Sequence, residues 1–277
     1  MTSADDVAGR LPPRVDSAGW HPRSTCGPHC RPAGAPGVSA GTALLRLGAL
    51  FGVLLSALLL VPLLRHAAVR TASRGILAAL GIKLIWLGAA PRPGSLLVAN
   101  HVSWLDVVAL LAVTPVRPVA KHDVRAWPAV GALAALTGSI FVDRNRPKRL
   151  PGTVAEVAAV LRAGRSVAAF PEGTTFCGAE RGRFRPAVFQ AAVDAGAPVM
   201  PITVRYGSPD AAFVGDDTLW SSVRRVAGLR GLTVTLIGSP ALLPGPGADR
   251  RSLAKAAQAS AGLRSAALDL AARPAHR

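Results

Sequence analysis

The sequence predicts an α/β fold: a mixed, largely parallel sheet flanked by helices, preceded by a membrane-associated helical segment. Two observations carry this. From about residue 94 onward, short apolar runs that end in turn residues alternate with longer helical stretches, which is the pattern of βαβ units. Ahead of that region lie eighteen uncharged residues, 47–64, "LGALFGVLLSALLLVPLL", at the low edge of the ~17–25 needed to span a bilayer as a helix.

The elements follow in order. Residues 1–40 are rich in Pro, Gly, Ser and Arg without apolar periodicity and read as a disordered basic tail. Residues 41–90 hold the apolar run and a second one, "GILAALGIKLIWLGAA", interrupted by Lys83. Arginines flank the first run on both sides, so charge gives no crossing direction, and a re-entrant or interfacial helix pair fits at least as well as a true span. Residues 91–277 form the α/β domain. Its strands are "GSLLVAN", "RPVAK", "SIFVDR", "RSVAAFPEGT", "PVMPITVRYG" and "GLTVTLIGSP". Helices are expected over "WLDVVALLAV", "AWPAVGALAALTG", "GTVAEVAAVLRAG" and "FQAAVDAGA". A C-terminal helix, "RRSLAKAAQASAGLRSAALDLAA", carries a basic polar face.

Half of the 277 residues are hydrophobic and 17% charged, so a large core is available. The net charge of +17 calls for an anionic partner: a lipid surface, a phosphorylated ligand or a CoA-like one. Nucleic acid is excluded as a partner, since aromatics make up 5% and do not interleave with the basic residues as a stacking surface requires. Three cysteines give no disulfide framework,. Cys26 and Cys30, beside His21 and His29 in "HPRSTCGPHC", have zinc-ligand types and spacing. They sit in the Pro/Gly-rich tail and are read as part of it. No metal motif accompanies the central domain, so metal-independent chemistry without a cofactor is expected.

The stretch "LLVANHVSWLDVVAL" sets His101 and Asp106 in an otherwise apolar run. A buried polar group without a partner costs about 1–3 kcal/mol, so the two satisfy each other or work together. His101 follows a strand and stands at the carboxyl edge of the sheet, where ligands of open α/β sheets bind. Five residues of ideal helix turn through about 500°, so the pair can meet only if His101 lies in the loop and Asp106 in the first helical turn. An imidazole held by a carboxylate is a general base in the right tautomer. A second strand ends in "AAFPEGTTF", bringing Glu172, Gly173 and Thr174 to the same edge. A third ends in "GSIFVDRNRPKR" with Arg144, a residue type that grips phosphate through paired N–H bonds. Lys121 ends another strand.

Together these stretches resemble the glycerolipid acyltransferase family, which includes the 1-acylglycerol-3-phosphate acyltransferases. "NHVSWLD" resembles its NHxxxxD block, "GSIFVDR" its second, "FPEGTT" its third and "APVMPITV" its fourth, with Pro201 at the matching proline; the four stand in the family's order over residues 94–210. The resemblance implies transfer of an acyl group from acyl-CoA or acyl-carrier protein to a lyso-lipid hydroxyl. His101 would take the hydroxyl proton and Asp106 would orient the ring. Arg144 would bind the acceptor's phosphate, with Lys121 as a secondary contact. Glu172, Gly173 and Thr174 would shape the acceptor site. The catalytic domain would sit at the cytoplasmic face of the cell membrane, in contact with membrane lipids.

Two departures bear on the acceptor. Where the family block commonly continues with arginine after "EGT", this chain has Thr175 and Phe176, and downstream "GRFRPAVF" has Arg185 and Pro186. Lysophosphatidic acid is the first expectation, and another lyso-lipid, such as lyso-ornithine lipid, its competitor. A serine hydrolase would need a G-x-S-x-G elbow between a strand and a helix, and none occurs within residues 91–277. A non-catalytic basic membrane-binding protein is the remaining alternative.

Overall fold

The computed structural model describes residues 22–31, 36–127 and 130–271. Helix α1 (Ala40–Ala79) leads into β1 (Lys83–Gly88), β2 (Leu96–Ala99), α2 (Leu105–Val113), β3 (Val116–Lys121), α3 (Val130–Leu136) and β4 (Ile140–Val142). Then come α4 (Leu150–Arg162), β5 (Ser166–Ala169), α5 (Ala187–Ala195), β6 (Val199–Tyr206), α6 (Leu219–Gly228), β7 (Thr233–Gly238) and α7 (Arg250–Ala271). The seven strands form one sheet in the order β1-β7-β6-β2-β5-β3-β4. Every pairing is parallel except β6 with β7.

The period of two along β2 shows how the layers form. Leu97 and Ala99 enter the core under α1, α2 and α6, while Leu96 and Val98 enter the core under α4, α5 and α7. All four residues are buried, as a central parallel strand covered on both faces requires. This explains why "LLVA" and "SVAA" are runs of apolar and small residues rather than alternations.

Three expectations change. The second apolar stretch is not a separate helix: its first five residues finish α1 at Ala79, Gly81 turns the chain with φ +68, and β1 pairs with β7 over Lys83–Gly88. The sheet completes its edge here, which a window of mean hydropathy cannot distinguish from a second helix. Next, residues 22–31 of the expected disordered tail lie on the domain, with Cys26 5% exposed and Arg31 paired with Asp217 at 2.6 Å. Helix α6 is an addition, started by a capping box in which Thr218 and Ser221 exchange side-chain bonds to each other's backbone N–H,.

Helix α1 is clasped along much of its length. Arg46 donates to the carbonyls of Ala227 and Leu229 at 3.0 and 2.6 Å, at the end of α6. Leu50, Leu77 and Leu80 join the main core, and Ala57, Ala68 and Val69 form a smaller cluster with Leu111 and Leu133. The opposite face is open: Leu44, Phe51 and Leu59 are 71%, 69% and 65% exposed. Over Ala40–Leu60 the helix is long and apolar enough to cross a membrane, by length and composition.

Candidate active site

The strand order brings the site together. β2 lies between β6 and β5, and β5 is followed by β3 and β4. Because these strands are parallel, the residues that follow them share one edge: Tyr206 closes β6, His101 follows β2, Glu172 follows β5, Lys121 closes β3 and Arg144 follows β4. The chain passes from β5 on one side of β2 to β6 on the other, and a crevice opens outside the carboxyl ends at such a switch point.

His101 Nδ1 and Asp106 Oδ2 lie 2.8 Å apart. Asp106 stands in the first turn of α2 and is fully buried. Its Oδ2 also accepts the N–H groups of Val102 and Ser103 at 2.7 and 3.0 Å, and its Oδ1 accepts the Tyr206 hydroxyl at 2.5 Å. Four donors thus converge on one carboxylate in the first turn of a helix,. A carboxylate only accepts, so the imidazole carries its proton on Nδ1, and Nε2 is the basic nitrogen. The ring stacks on Phe170 with centroids 4.1 Å apart and planes at 19°, and its side chain is 21% exposed. It is therefore held on one edge and one face while open to the crevice.

Glu172 acts through the backbone. It is buried and accepts the backbone N–H of His101 at 2.7 Å on Oε2 and that of Gly182 at 2.9 Å on Oε1. Both oxygens are spent on backbone, so it shapes the site by fixing the His101 loop, not by presenting an oxygen to a ligand. Burial pushes its carboxyl up to about 7, against the pull of those two N–H bonds, with Asp106 adding to the rise. Gly173 has φ +78, a conformation that L side chains resist,. It turns the chain back so that its N–H reaches the Phe170 carbonyl at 3.0 Å. Thr174 follows in the same turn, half-buried. Phe176 N–H then donates to the His101 carbonyl at 2.8 Å, and the Thr175 hydroxyl bonds the Phe213 carbonyl.

Arg144 stands half-buried after β4. Burial and the neighbouring Arg185 hold its guanidinium below the ordinary value, while Asp123 opposes them. Two guanidinium groups within Coulomb range of each other make a corner that an anion would relieve. Lys121 is at its rim, exposed and paired with Asp123. Arg185 approaches Gly173 and donates its backbone N–H to the Pro171 carbonyl at 2.9 Å. Pro201, a substrate-binding candidate by its place in the fourth block, is buried inside β6, in register with Val98, below the edge where His101 stands. A cavity of about 390 Å³ opens elsewhere, between α1, β1 and α2, lined by Arg70, Arg74 and Trp86 among others. It shares no residue with the His101 cluster.

Two contributors are given no role in the motif reading. Tyr206 is the chain's sole tyrosine and stands at the end of an apolar strand, a signal that was legible. Asn100 accepts from Val204 N–H at 2.7 Å and donates to its carbonyl at 3.1 Å. It thereby continues the β2–β6 pairing past the strand end and aims the next residue, His101, outward.

The chain is similar to known proteins. A family model described as Acyltransferase matches residues 88–205. A 1-acyl-sn-glycerol-3-phosphate acyltransferase of Neisseria meningitidis is 37% identical over 184 residues, 62% of this chain and 71% of the relative. A lyso-ornithine lipid O-acyltransferase of Pseudomonas aeruginosa is 39% identical over 188 residues, 65% of this chain and 71% of that one. The fold matches the crystal structure of the 1-acyl-sn-glycerophosphate acyltransferase PlsC from Thermotoga maritima with a TM-score of 0.63 at 18% identity, covering 85% of this chain and 98% of that one.

Proposed function

The chain belongs to the acyltransferase family, and from that premise we propose that it moves a fatty acyl group from acyl-CoA or acyl-carrier protein to the free hydroxyl of 1-acylglycerol-3-phosphate, giving phosphatidic acid. The observation that carries this reading is the imidazole of His101, fixed by Asp106 and Phe170 through Nδ1 and one ring face, with its side chain 21% exposed. Nε2 takes the proton of the acceptor hydroxyl as its oxygen attacks the thioester carbonyl. The carbon–sulfur bond breaks, the proton passes to the departing thiolate, and an ester and a free thiol result. Asp106 stabilises the imidazolium that exists between these proton transfers. No acyl-enzyme is required. Arg144, with Arg185 behind it and Lys121 at the rim, holds the acceptor's phosphate.

The acceptor is an amphiphile, so the enzyme works at a lipid surface. The apolar half of α1 is about 31 Å long at 1.5 Å per residue, and its outer face is exposed. Arg46 and the buried residues of α1 tie both halves of the helix to the same domain. That favours a helix sunk sidelong into the cytoplasmic leaflet, with the domain at the cytoplasmic face, over one that crosses. The net charge of +17 favours an anionic leaflet.

Thr175, standing where the resemblance leads one to expect arginine, favours a second reading in which the acceptor is lyso-ornithine lipid. Incubating the purified protein with both lyso-lipids and an acyl thioester, and weighing the products, decides between them. His101→Ala abolishes turnover. Arg144→Ala chiefly raises the KM for a phosphate-bearing acceptor and leaves lyso-ornithine lipid unaffected. Absence of ester product from every lyso-lipid under active-donor conditions overturns the reading.

A further inference from the structure

The chain's three cysteines, two at 26 and 30 and the third at 177, are adjacent in space. The Sγ atoms of Cys26, Cys30 and Cys177 all lie within 4.8 Å of one another, and all three are free thiols. Two are set by a short turn, Pro28–Cys30, in which Cys30 N–H reaches back to the Gly27 carbonyl at 3.0 Å. The third comes from the loop after β5, immediately beyond the turn that carries Glu172 and Gly173. Backbone donors already aim at the sulfurs: Cys177 N–H lies 3.3 Å from Cys26 Sγ, and Glu180 N–H lies 3.5 Å from Cys177 Sγ. The Glu180 carboxylate stands beside them, 3.7 Å from Cys26 Sγ and held by the Thr25 hydroxyl at 2.6 Å.

Cysteine also packs as a small hydrophobe, and these three do border Val102, Ala212 and Val214. Packing alone needs neither converging sulfurs nor N–H groups pointed at them nor a carboxylate alongside. A tetrahedral thiolate site with zinc–sulfur bonds of about 2.3 Å places its sulfurs about 3.8 Å apart, so a small inward closure brings these atoms into place.

We propose that Cys26, Cys30 and Cys177, with the Glu180 carboxylate as fourth ligand, form a structural zinc site that staples residues 22–31 across the loop after β5. Its position gives it a consequence. The stapled segment sets Pro22 against Gly173 and is anchored at its other end by Arg31 on Asp217, which Arg225 also grips at 2.7 Å. Beneath it, Phe176 holds the His101 carbonyl. The metal takes no part in proton transfer; it holds in register the loop that orients the imidazole. The bound thiolates release their protons on metal binding, so occupancy falls in acid.

The full chain, purified under reducing conditions and supplied with zinc chloride, is expected to retain about one zinc per chain after desalting, read by elemental mass spectrometry. Cobalt in place of zinc gives a sulfur-to-cobalt charge-transfer band and intense tetrahedral visible bands. Cys30→Ser and Cys177→Ser each lose the bound metal. Because these variants can also unfold, a second measurement uses the wild-type chain: zinc protects all three thiols from alkylation, and a chelator restores their reactivity. Amide exchange over residues 22–31 rises on chelation. A reduced, folded chain that binds neither metal overturns the proposal. So does zinc retained undiminished in Cys177→Ser, or a Cys26–Cys177 disulfide in protein alkylated directly from cells.

Discussion

Asp106→Asn isolates the charge of the carboxylate from its geometry. The amide oxygen of asparagine can take the place of Oδ2, accepting from His101 Nδ1, Val102 N–H and Ser103 N–H, which now lie at 2.8, 2.7 and 3.0 Å. Its NH2 group then faces the Tyr206 hydroxyl, which can turn and accept. The arrangement survives and the negative charge does not. During the reaction an imidazolium forms beside this group, with charge centres about 4 Å apart, and at an effective dielectric of about 20 their attraction is about 4 kcal/mol. Losing it raises the barrier by that amount, about 10³-fold in kcat. The interaction exists only once the proton has moved, so the acceptor KM should change little. The assay is the initial rate of ester formation from an acyl thioester and the preferred lyso-lipid, read by product mass, with thermal unfolding as a control for folding. A variant of unchanged Tm whose kcat stays within about tenfold of wild type refutes the reasoning, because the carboxylate would then not be stabilising an imidazolium.

Tyr206→Phe removes one charge-assisted bond to the buried carboxylate, 2.5 Å in the structure. It should cost about 1.5–3 kcal/mol of stability and lower kcat by less than Asp106→Asn does; no change in either Tm or kcat would contradict the role assigned to the hydroxyl. Glu172 has its folded-state pKa raised from 4.5 to about 7 by burial. Its contribution to stability is therefore complete below pH 4.5 and lost as the pH rises through about 7,. Glu172→Gln removes this dependence, so the Tm of wild type should fall relative to the variant's across that window, and parallel Tm–pH curves would count against the shift. Gly173→Ala forces a side chain into φ +78 and sets a Cβ 2.9 Å from Pro22 Cγ. It should cost about 1–2 kcal/mol and raise proteolysis near residue 22; an unchanged Tm would show that the turn relaxes freely.

Much of the molecule could be read locally, and the reason is periodicity. Strands buried on both faces leave uninterrupted apolar runs, and each such run that stops at a polar residue marks the sheet's functional edge: "LLVAN" before His101, "SVAAF" before Glu172, "IFVD" before Arg144. The misreadings have physical causes as well. "KLIWLG" is as apolar as a helix would be, and only its pairing with Thr233–Gly238 makes it a strand. Pro201 shares a motif with site residues because its strand borders β2, without itself reaching the crevice.

By itself the chain's order of residues settled the class of fold and the four blocks and singled out the candidate imidazole, since these depend on spacing along a single element or across one loop. Which side chains surround that imidazole was decided by the folded sheet. Tyr206 lies a hundred residues from Asp106, and Cys177 more than a hundred and forty from Cys30. They meet because β6 and β5 flank β2 and because the segment at 22–31 folds back over the loop between them. Neighbourhood across strands is set by topology, and no local pattern encodes it.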